Sequence, residues 1–255
     1  MKIHKIPLLL IWRLWFYILI FAFLLLFFPF LLIFSFHEKQ YHVFWRFVRI
    51  LSRILIYGMG FRLNLNADQN IDPNKSYMYC PNHGSLLDPF VLIALSKSPI
   101  VFVGKKEFAR IPIFGFFYKR TVIMVDRSCE MSRKRVFEIA KKRLQNGLSM
   151  AIFPEGLVPS EEVVLAPFKK GAFSLAIEFQ IPIVPQVYYD CKRFFSWDVF
   201  KGSLGTLRVH QHALIDTKGM NVQQDTQKLM DKTFELLQKD LQNDVKYMKD
   251  TNRKI

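Results

Sequence analysis

The chain has 255 residues, with 36 Lys or Arg against 21 Asp or Glu, for a formal net charge of +15 and a pI of about 9.8. That length holds one sizeable domain with an appendage and excludes two ordinary domains beside a membrane segment. The three cysteines, Cys80, Cys129 and Cys191, are odd in number and lack metal spacing, which argues against a disulfide framework and for a reducing compartment.

A mean hydropathy of +0.14 is high for a soluble protein, and the excess is local. From Leu14 to Phe36 no residue is charged, a run beyond the roughly 20 apolar residues that a hydrocarbon core of about 30 Å requires. It lacks the cleavage site and the short apolar region of a secretory signal, so it is expected to be retained. Pro29 can kink a helix and Arg13 lies near its start, so a single tilted span and a re-entrant pair of short helices both satisfy the backbone. The next segment, YHVFWRFVRILSRILIYGMG, sets Arg46, Arg49 and Arg53 at helical spacing among aromatic and aliphatic residues. This is the pattern of a helix in the headgroup layer with its cations toward anionic lipid. Residues 1–58 are therefore expected to be a membrane-anchoring helical segment, and 59–255 a separate domain.

The basic charge raises nucleic acid as a partner, but no helix-turn-helix, zinc finger or RNP-type run is present. An anionic membrane surface explains the charge more economically. Cations flanking the apolar run favour a catalytic part on the cytoplasmic side.

Beyond Gly60, short β-rich runs alternate with helical ones, which predicts an α/β domain with a largely parallel sheet flanked by helices. The expected strands are 61–65, 76–80, 100–103, 121–125, 148–153, 183–187 and 206–210. The expected helices are 86–96, 128–145 and 170–179, with 220–249 as one last amphipathic helix. Three polar loops, 82–88, 126–127 and 154–156, each follow a β-run, at the carboxyl ends of strands where open α/β sheets bind ligands.

The first of these loops is YCPNHGSLLDP, in which His83 and Asp88 stand five positions apart with Gly84 and Ser85 between. That spacing fits neither helix nor strand periodicity, so a tight turn must bring the side chains together. Two readings stand side by side: a carboxylate that fixes the tautomer of a histidine base, or a structural histidine and an N-cap at Asp88 for a helix opening at Pro89. No G-x-S-x-G elbow accompanies them, Ser85 is too close to His83 to be its conventional partner, and Cys80 reads as a core residue. A base without an enzyme nucleophile implies attack by a substrate hydroxyl on an already activated group. With no P-loop or carboxylate cluster for phosphoryl transfer, acyl transfer from a thioester leads.

NHGSLLD, GKKEFARIPIFGFFYKRTVIMVDR, FPEG and IPIVPQVY, in this order, resemble the four blocks of the glycerolipid acyltransferase family, particularly its bacterial 1-acylglycerol-3-phosphate acyltransferases. The resemblance runs from about Phe61 to about His210, and its first and third blocks are the specific ones. It implies transfer of a fatty acyl group from acyl-CoA or acyl carrier protein to a free hydroxyl of a lysolipid in phospholipid biosynthesis. It makes His83 the general base and Asp88 its orienting partner, without metal or cofactor. Asn82 and Gly84 would shape the loop and offer polar groups near the thioester carbonyl. Arg127, with Lys105, would meet a phosphate. Phe153, Pro154, Glu155 and Gly156 would form the acceptor side, with Glu155 as the acceptor-binding carboxylate; Pro182 and Pro185 would line the acyl region or stiffen a strand edge.

One departure stands out. After FPEG the family carries a small hydroxyl residue and an arginine, whereas this chain has Leu157 and Val158. Lys169 and Lys170 are candidates to replace the missing cation. An alternative acceptor is a lysolipid without glycerol phosphate, such as an acylated amino acid. A basic membrane-binding protein without chemistry is the competing class; it leaves the ordered polar loops as coincidence. Expected partners are thus membrane lipids, a lysolipid and an acyl thioester, and not nucleic acid.

Overall fold

The computed structural model describes residues 6–35, 40–125 and 130–250. Each expected β-run forms a strand, with ends shifted by one to a few residues: β1 (Arg62–Ala67), β2 (Met78–Pro81), β3 (Ile100–Lys105), β4 (Val122–Val125), β5 (Ser149–Ala151), β6 (Ile183–Tyr188) and β7 (Thr206–Gln211). They make one seven-stranded sheet in the order β1-β7-β6-β2-β5-β3-β4. MYCP, SMA and IVPQVY are buried at every position, as parallel strands covered on both faces require. From β6 to β4 all neighbours are parallel. β7 is antiparallel to β6 and parallel to β1, so this outer pair runs opposite to the rest.

In chain order, α1 (Ile6–Leu26), α2 (Phe28–Ser35) and α3 (Tyr41–Gly58) precede the sheet, and α4 (Asp88–Leu95), α5 (Phe114–Thr121), α6 (Glu130–Gln145), α7 (Gly171–Glu178) and α8 (Cys191–Phe194) lie between strands. The chain then ends in α9 (Val222–Asn243) and α10 (Val245–Asp250), so the single last helix expected over 220–249 is two. The break is at Asp244, whose backbone is extended. Its carboxylate binds Arg208 Nη1 at 2.6 Å and accepts from the Tyr247 N–H at 2.6 Å, which starts a new helix. Thr121, expected in a strand, closes α5 instead.

Of α1, α2 and α3, α1 is long and apolar enough to cross a membrane, and little of its surface is buried. The ladder breaks at Phe27, because Pro29 in the first turn of α2 has no N–H to donate. α1 runs antiparallel to α3: the indoles of Trp12 and Trp15 donate to the carbonyls of Met59 and Gly58 at 3.0 Å, and Phe27 meets Phe47. α2 continues past α3 to α5, with Phe30 and Phe34 stacked on Phe47, and Phe28 against Phe116 and Phe117. Leu8, Ile11, Leu14, Tyr17, Phe21 and Leu25 face outward. Arg13, the one charged side chain of α1, turns inward and donates to the carbonyls of Ser196, Asp198 and Lys201 while lying over the Phe195 ring. It therefore fastens the apolar helix to the loop before β7. In α3, Arg46 is exposed and Arg49 half-buried. Arg53 is exposed, and its Nε donates to the Ala94 carbonyl at the end of α4.

Candidate active site

β2 and β5 are parallel neighbours with Met78 opposite Met150 and Tyr79 opposite Ala151. Carried past the strand ends, that register sets His83 level with Glu155, and the two loops are joined there. The His83 N–H donates to Glu155 Oε1 at 2.6 Å, and the other oxygen of that buried carboxylate accepts from the Ala166 N–H at 2.8 Å. Burial pushes the Glu155 carboxyl up to about 7, against the pull of those two N–H groups and of the charges of His83 and Lys192. Glu155 therefore ties the two loops together through both of its oxygens. Gly156 has φ +74, the left-handed region that glycine enters without strain.

The turn does bring His83 and Asp88 together. Asp88 Oδ2 lies 2.8 Å from His83 Nδ1 and also accepts from the N–H groups of Gly84 at 2.7 Å and Ser85 at 2.8 Å. Asp88 is thus not an N-cap: it opens α4 and bonds back into the loop, leaving the first turn to Pro89, which has no N–H to satisfy. Its side chain is fully buried, while that of His83 is 20% exposed. The imidazole stacks on Phe153, with centroids 4.2 Å apart. A neutral ring that donates Nδ1–H to a carboxylate keeps a basic Nε2, and among the described residues no hydrogen bond reaches that nitrogen.

The remaining residues of the loop are structural. Asn82 is buried and pairs with the main chain of Tyr188, accepting from its N–H at 2.7 Å and donating to its carbonyl at 3.2 Å. It shapes the strand end, and its amide is not offered to a thioester carbonyl, which corrects that part of the expectation. Gly84 fits because a Cβ there would stand 2.7 Å from Lys192 Cβ. The Ser85 hydroxyl donates to the Phe195 carbonyl at 2.7 Å and accepts from the Leu87 N–H at 3.1 Å. The thiols of Cys80 and Cys191 are buried and pushed up by that burial, Cys191 further by Asp88. No described side chain beside His83 is placed as an activated nucleophile.

Lys105 ends β3 on the same edge, with its carbonyl accepting from the Tyr118 hydroxyl at 3.0 Å. An open cleft of about 470 Å³ adjoins it, lined by Lys106, Glu107, Ala109, Arg110, Lys119 and Met124. Arg127 and Asp126 lie outside the described residues. Pro154 is buried, and its carbonyl accepts from the Lys169 N–H at 2.8 Å, which brings Lys169 beside the FPEG turn. Leu157 is 48% exposed. Pro185 sits in interior strand β6 opposite Cys80, and the Pro182 carbonyl accepts from the Met78 N–H.

Lys192 was not foreseen. It is buried, packs its stem over Gly84, and donates from Nζ to the carbonyls of Ser160 and Val163. The stretch after FPEG, where the resemblance expects an arginine, is thus tied down by a lysine from α8.

The family model described as Acyltransferase matches residues 62–189. The chain is 32% identical over 140 residues to a 1-acyl-sn-glycerol-3-phosphate acyltransferase of Cocos nucifera, covering 54% of this chain and 44% of that one. It is 28% identical to the human beta enzyme of the same name, over 64% of this chain and 59% of that one. It is also 28% identical to the Borreliella burgdorferi protein of the same name, over 66% of this chain and 68% of that one. The chain thus spans about half the length of the first two and about two thirds of the third. In fold it is similar to the crystal structure of the 1-acyl-sn-glycerophosphate acyltransferase PlsC from Thermotoga maritima, with a TM-score of 0.76 at 19% identity, over 95% of this chain and 97% of that one.

Proposed function

The chain belongs to the Acyltransferase family, and we propose that it transfers a fatty acyl group from an acyl thioester to the free hydroxyl of a lysolipid. The acceptor assigned is 1-acylglycerol-3-phosphate and the product phosphatidic acid, in phospholipid biosynthesis. The observation that carries this reading is the His83–Asp88 pair at the carboxyl edge of the sheet, with Nδ1 held at 2.8 Å and Nε2 left unbonded.

His83 Nε2 takes the proton of the acceptor hydroxyl as its oxygen attacks the thioester carbonyl. The buried Asp88 carboxylate stabilises the imidazolium that forms. Collapse of the tetrahedral adduct breaks the C–S bond, and the imidazolium returns the proton to the leaving thiolate, so ester and thiol are the products and the ring is restored. The N–H groups of His83, Gly84 and Ser85 are already bonded to Glu155 and Asp88, so they do not serve the developing oxyanion. Asn82, Gly84, Phe153, Pro154, Glu155 and Gly156 act as positioning residues: they fix the two loops that present the imidazole. The acceptor phosphate is assigned to the basic corner at Lys105 and its cleft, and to Arg127, which follows β4 in the sequence. The reaction needs the acyl-CoA or acyl carrier protein substrate and no cofactor.

The apolar α1 and the net charge of +15 support a location at the inner membrane with the catalytic part on the cytoplasmic side. The test is to incubate the protein with a panel of lysolipids, including an acylated amino acid, and with acyl-CoA or acyl carrier protein, then identify products by mass. Phosphatidic acid together with released thiol supports the reading. Product on the acylated amino acid alone replaces the acceptor, and no thiol release with any pair rejects the function.

A further inference from the structure

On the outer strands, away from His83, the end of β7 and the residue after it read His210-Gln211-His212. Alternation along an extended backbone puts both imidazoles on one face, and their centroids are 4.1 Å apart. Two carboxylates meet them. Asp240 of α9 has Oδ2 2.6 Å from His210 Nδ1 and 2.9 Å from His212 Nε2, and its Oδ1 accepts from the Tyr189 hydroxyl at 2.6 Å. Asp68, just after β1, has Oδ1 2.9 Å from His210 Nε2 and Oδ2 3.7 Å from His212 Nδ1.

Each ring therefore turns one nitrogen to Asp240 and the other to Asp68. Hydrogen bonds alone leave the cluster unfinished. His212 is only 8% exposed. Its Nε2 is buried without an in-line hydrogen bond, and its Nδ1 is beyond hydrogen-bond reach of Asp68. A buried imidazole nitrogen held 2.9 Å from Asp240 Oδ2 but out of line for a hydrogen bond is poorly satisfied, and both nitrogens of the ring point into this cluster.

We propose that Asp68, His210 and His212 bind a divalent transition metal, with zinc the ion best suited to them. His210 would ligate through Nε2, His212 through Nδ1 and Asp68 through its carboxylate. Asp240 would accept the remaining N–H of both rings, the outer carboxylate that commonly fixes metal-bound histidines. Two imidazoles and one carboxylate suit zinc rather than the all-oxygen preference of magnesium or calcium. The three donor atoms lie within 4.8 Å of one another; bonds of about 2.0–2.1 Å want them roughly 3.4 Å apart. Asp68 is already 2.9 Å from His210 Nε2 and 3.7 Å from His212 Nδ1, so the ion would draw the three donors in by a fraction of an ångström to about an ångström and a half. Such an ion would clamp the end of β1 to the end of β7, and it lies outside the acyl-transfer site and owes nothing to that reading.

The test uses the full, untagged chain in detergent, stripped with a chelator and titrated with zinc by calorimetry, with the melting temperature followed in parallel and cobalt as a spectroscopic substitute. One equivalent should bind with micromolar or tighter affinity and raise the melting temperature, and cobalt should give a visible band of low-coordinate nitrogen and oxygen ligation. Asp68→Asn, at an exposed position, should fold normally and weaken binding at least tenfold. His212→Ala should abolish binding, Asp240→Asn should weaken it 10- to 100-fold, and Cys129→Ser should leave it unchanged. Absence of binding, binding of several equivalents, or one equivalent that survives Asp68→Asn or is lost in Cys129→Ser overturns the proposal.

Discussion

Asp88→Asn removes a charge and keeps a shape. In the native loop Oδ2 accepts from Gly84 N, Ser85 N and His83 Nδ1 at 2.7 to 2.8 Å, while Oδ1 is buried without a hydrogen-bond partner. An asparagine with its oxygen in the Oδ2 position keeps all three contacts and the His83 tautomer. Its NH₂ falls where no acceptor waits, at a stability cost of about 1–3 kcal/mol. What disappears is the negative charge facing the imidazolium. Opposite charges with centres about 4 Å apart attract by about 4 kcal/mol at an effective dielectric near 20. The amide dipole recovers part of this, which leaves a loss of about 100- to 1000-fold in kcat. Thiol release from acyl-CoA against acceptor concentration gives kcat and KM, and a melting curve reports the fold. A folded variant with kcat within about threefold of wild type refutes the electrostatic role, and a change confined to KM would assign Asp88 to binding instead.

Glu155, raised to about 7 from an ordinary 4.5, makes the folded chain bind a proton that the unfolded chain has released between those values. Its contribution is complete below about pH 4.5 and is lost as pH rises through about 7, on the order of 3 kcal/mol by pH 8. Glu155→Gln should flatten that part of the stability profile between pH 5 and 8; an unchanged slope contradicts the assignment. Gly84→Ala sets a methyl 2.7 Å from Lys192 Cβ, so it should cost about 1–3 kcal/mol of strain and displace His83. Both the melting temperature and kcat should fall, and unchanged values of both would mean that the loop yields freely. Arg13→Met strips three carbonyls of a charged donor, each bond worth about 1.5–3 kcal/mol, and should lower the melting temperature by several degrees and open residues 196–201 to proteolysis. Wild-type protease resistance would show that this clamp is dispensable.

The strands were legible in the sequence because interior parallel strands must be apolar on both faces, and runs such as IVPQVY have no other reason to be so uniformly buried. α5 was not among the expected helices, and Gly115 within it and Pro112 just before it weaken the local helical signal. Its helix is held from outside, by Phe28 on Phe116 and Phe117, and by a missing Cβ at Gly115 that would meet the Ala109 carbonyl at 2.3 Å. The His83–Asp88 pairing was legible because five residues through a glycine turn span that gap. Where the backbone amides go was not, because the partners are remote: Glu155 takes the His83 amide, Tyr188 takes Asn82, and Lys192 covers Gly84. The side chains of Asn82 and Glu155 bond main-chain groups far away in sequence, which no local pattern announces. The cluster of Asp68, His210 and His212 escaped notice for the same reason, since Asp68 joins the two histidines only in the fold.

The central claim is that His83 Nε2 removes the acceptor's proton. Its most direct test is the rate of thiol release by purified His83→Ala, compared with wild type in the same lipid or detergent at equal melting temperature. The account predicts a loss of at least about 100- to 10,000-fold with membrane association intact. Near-normal turnover by the folded variant would contradict it.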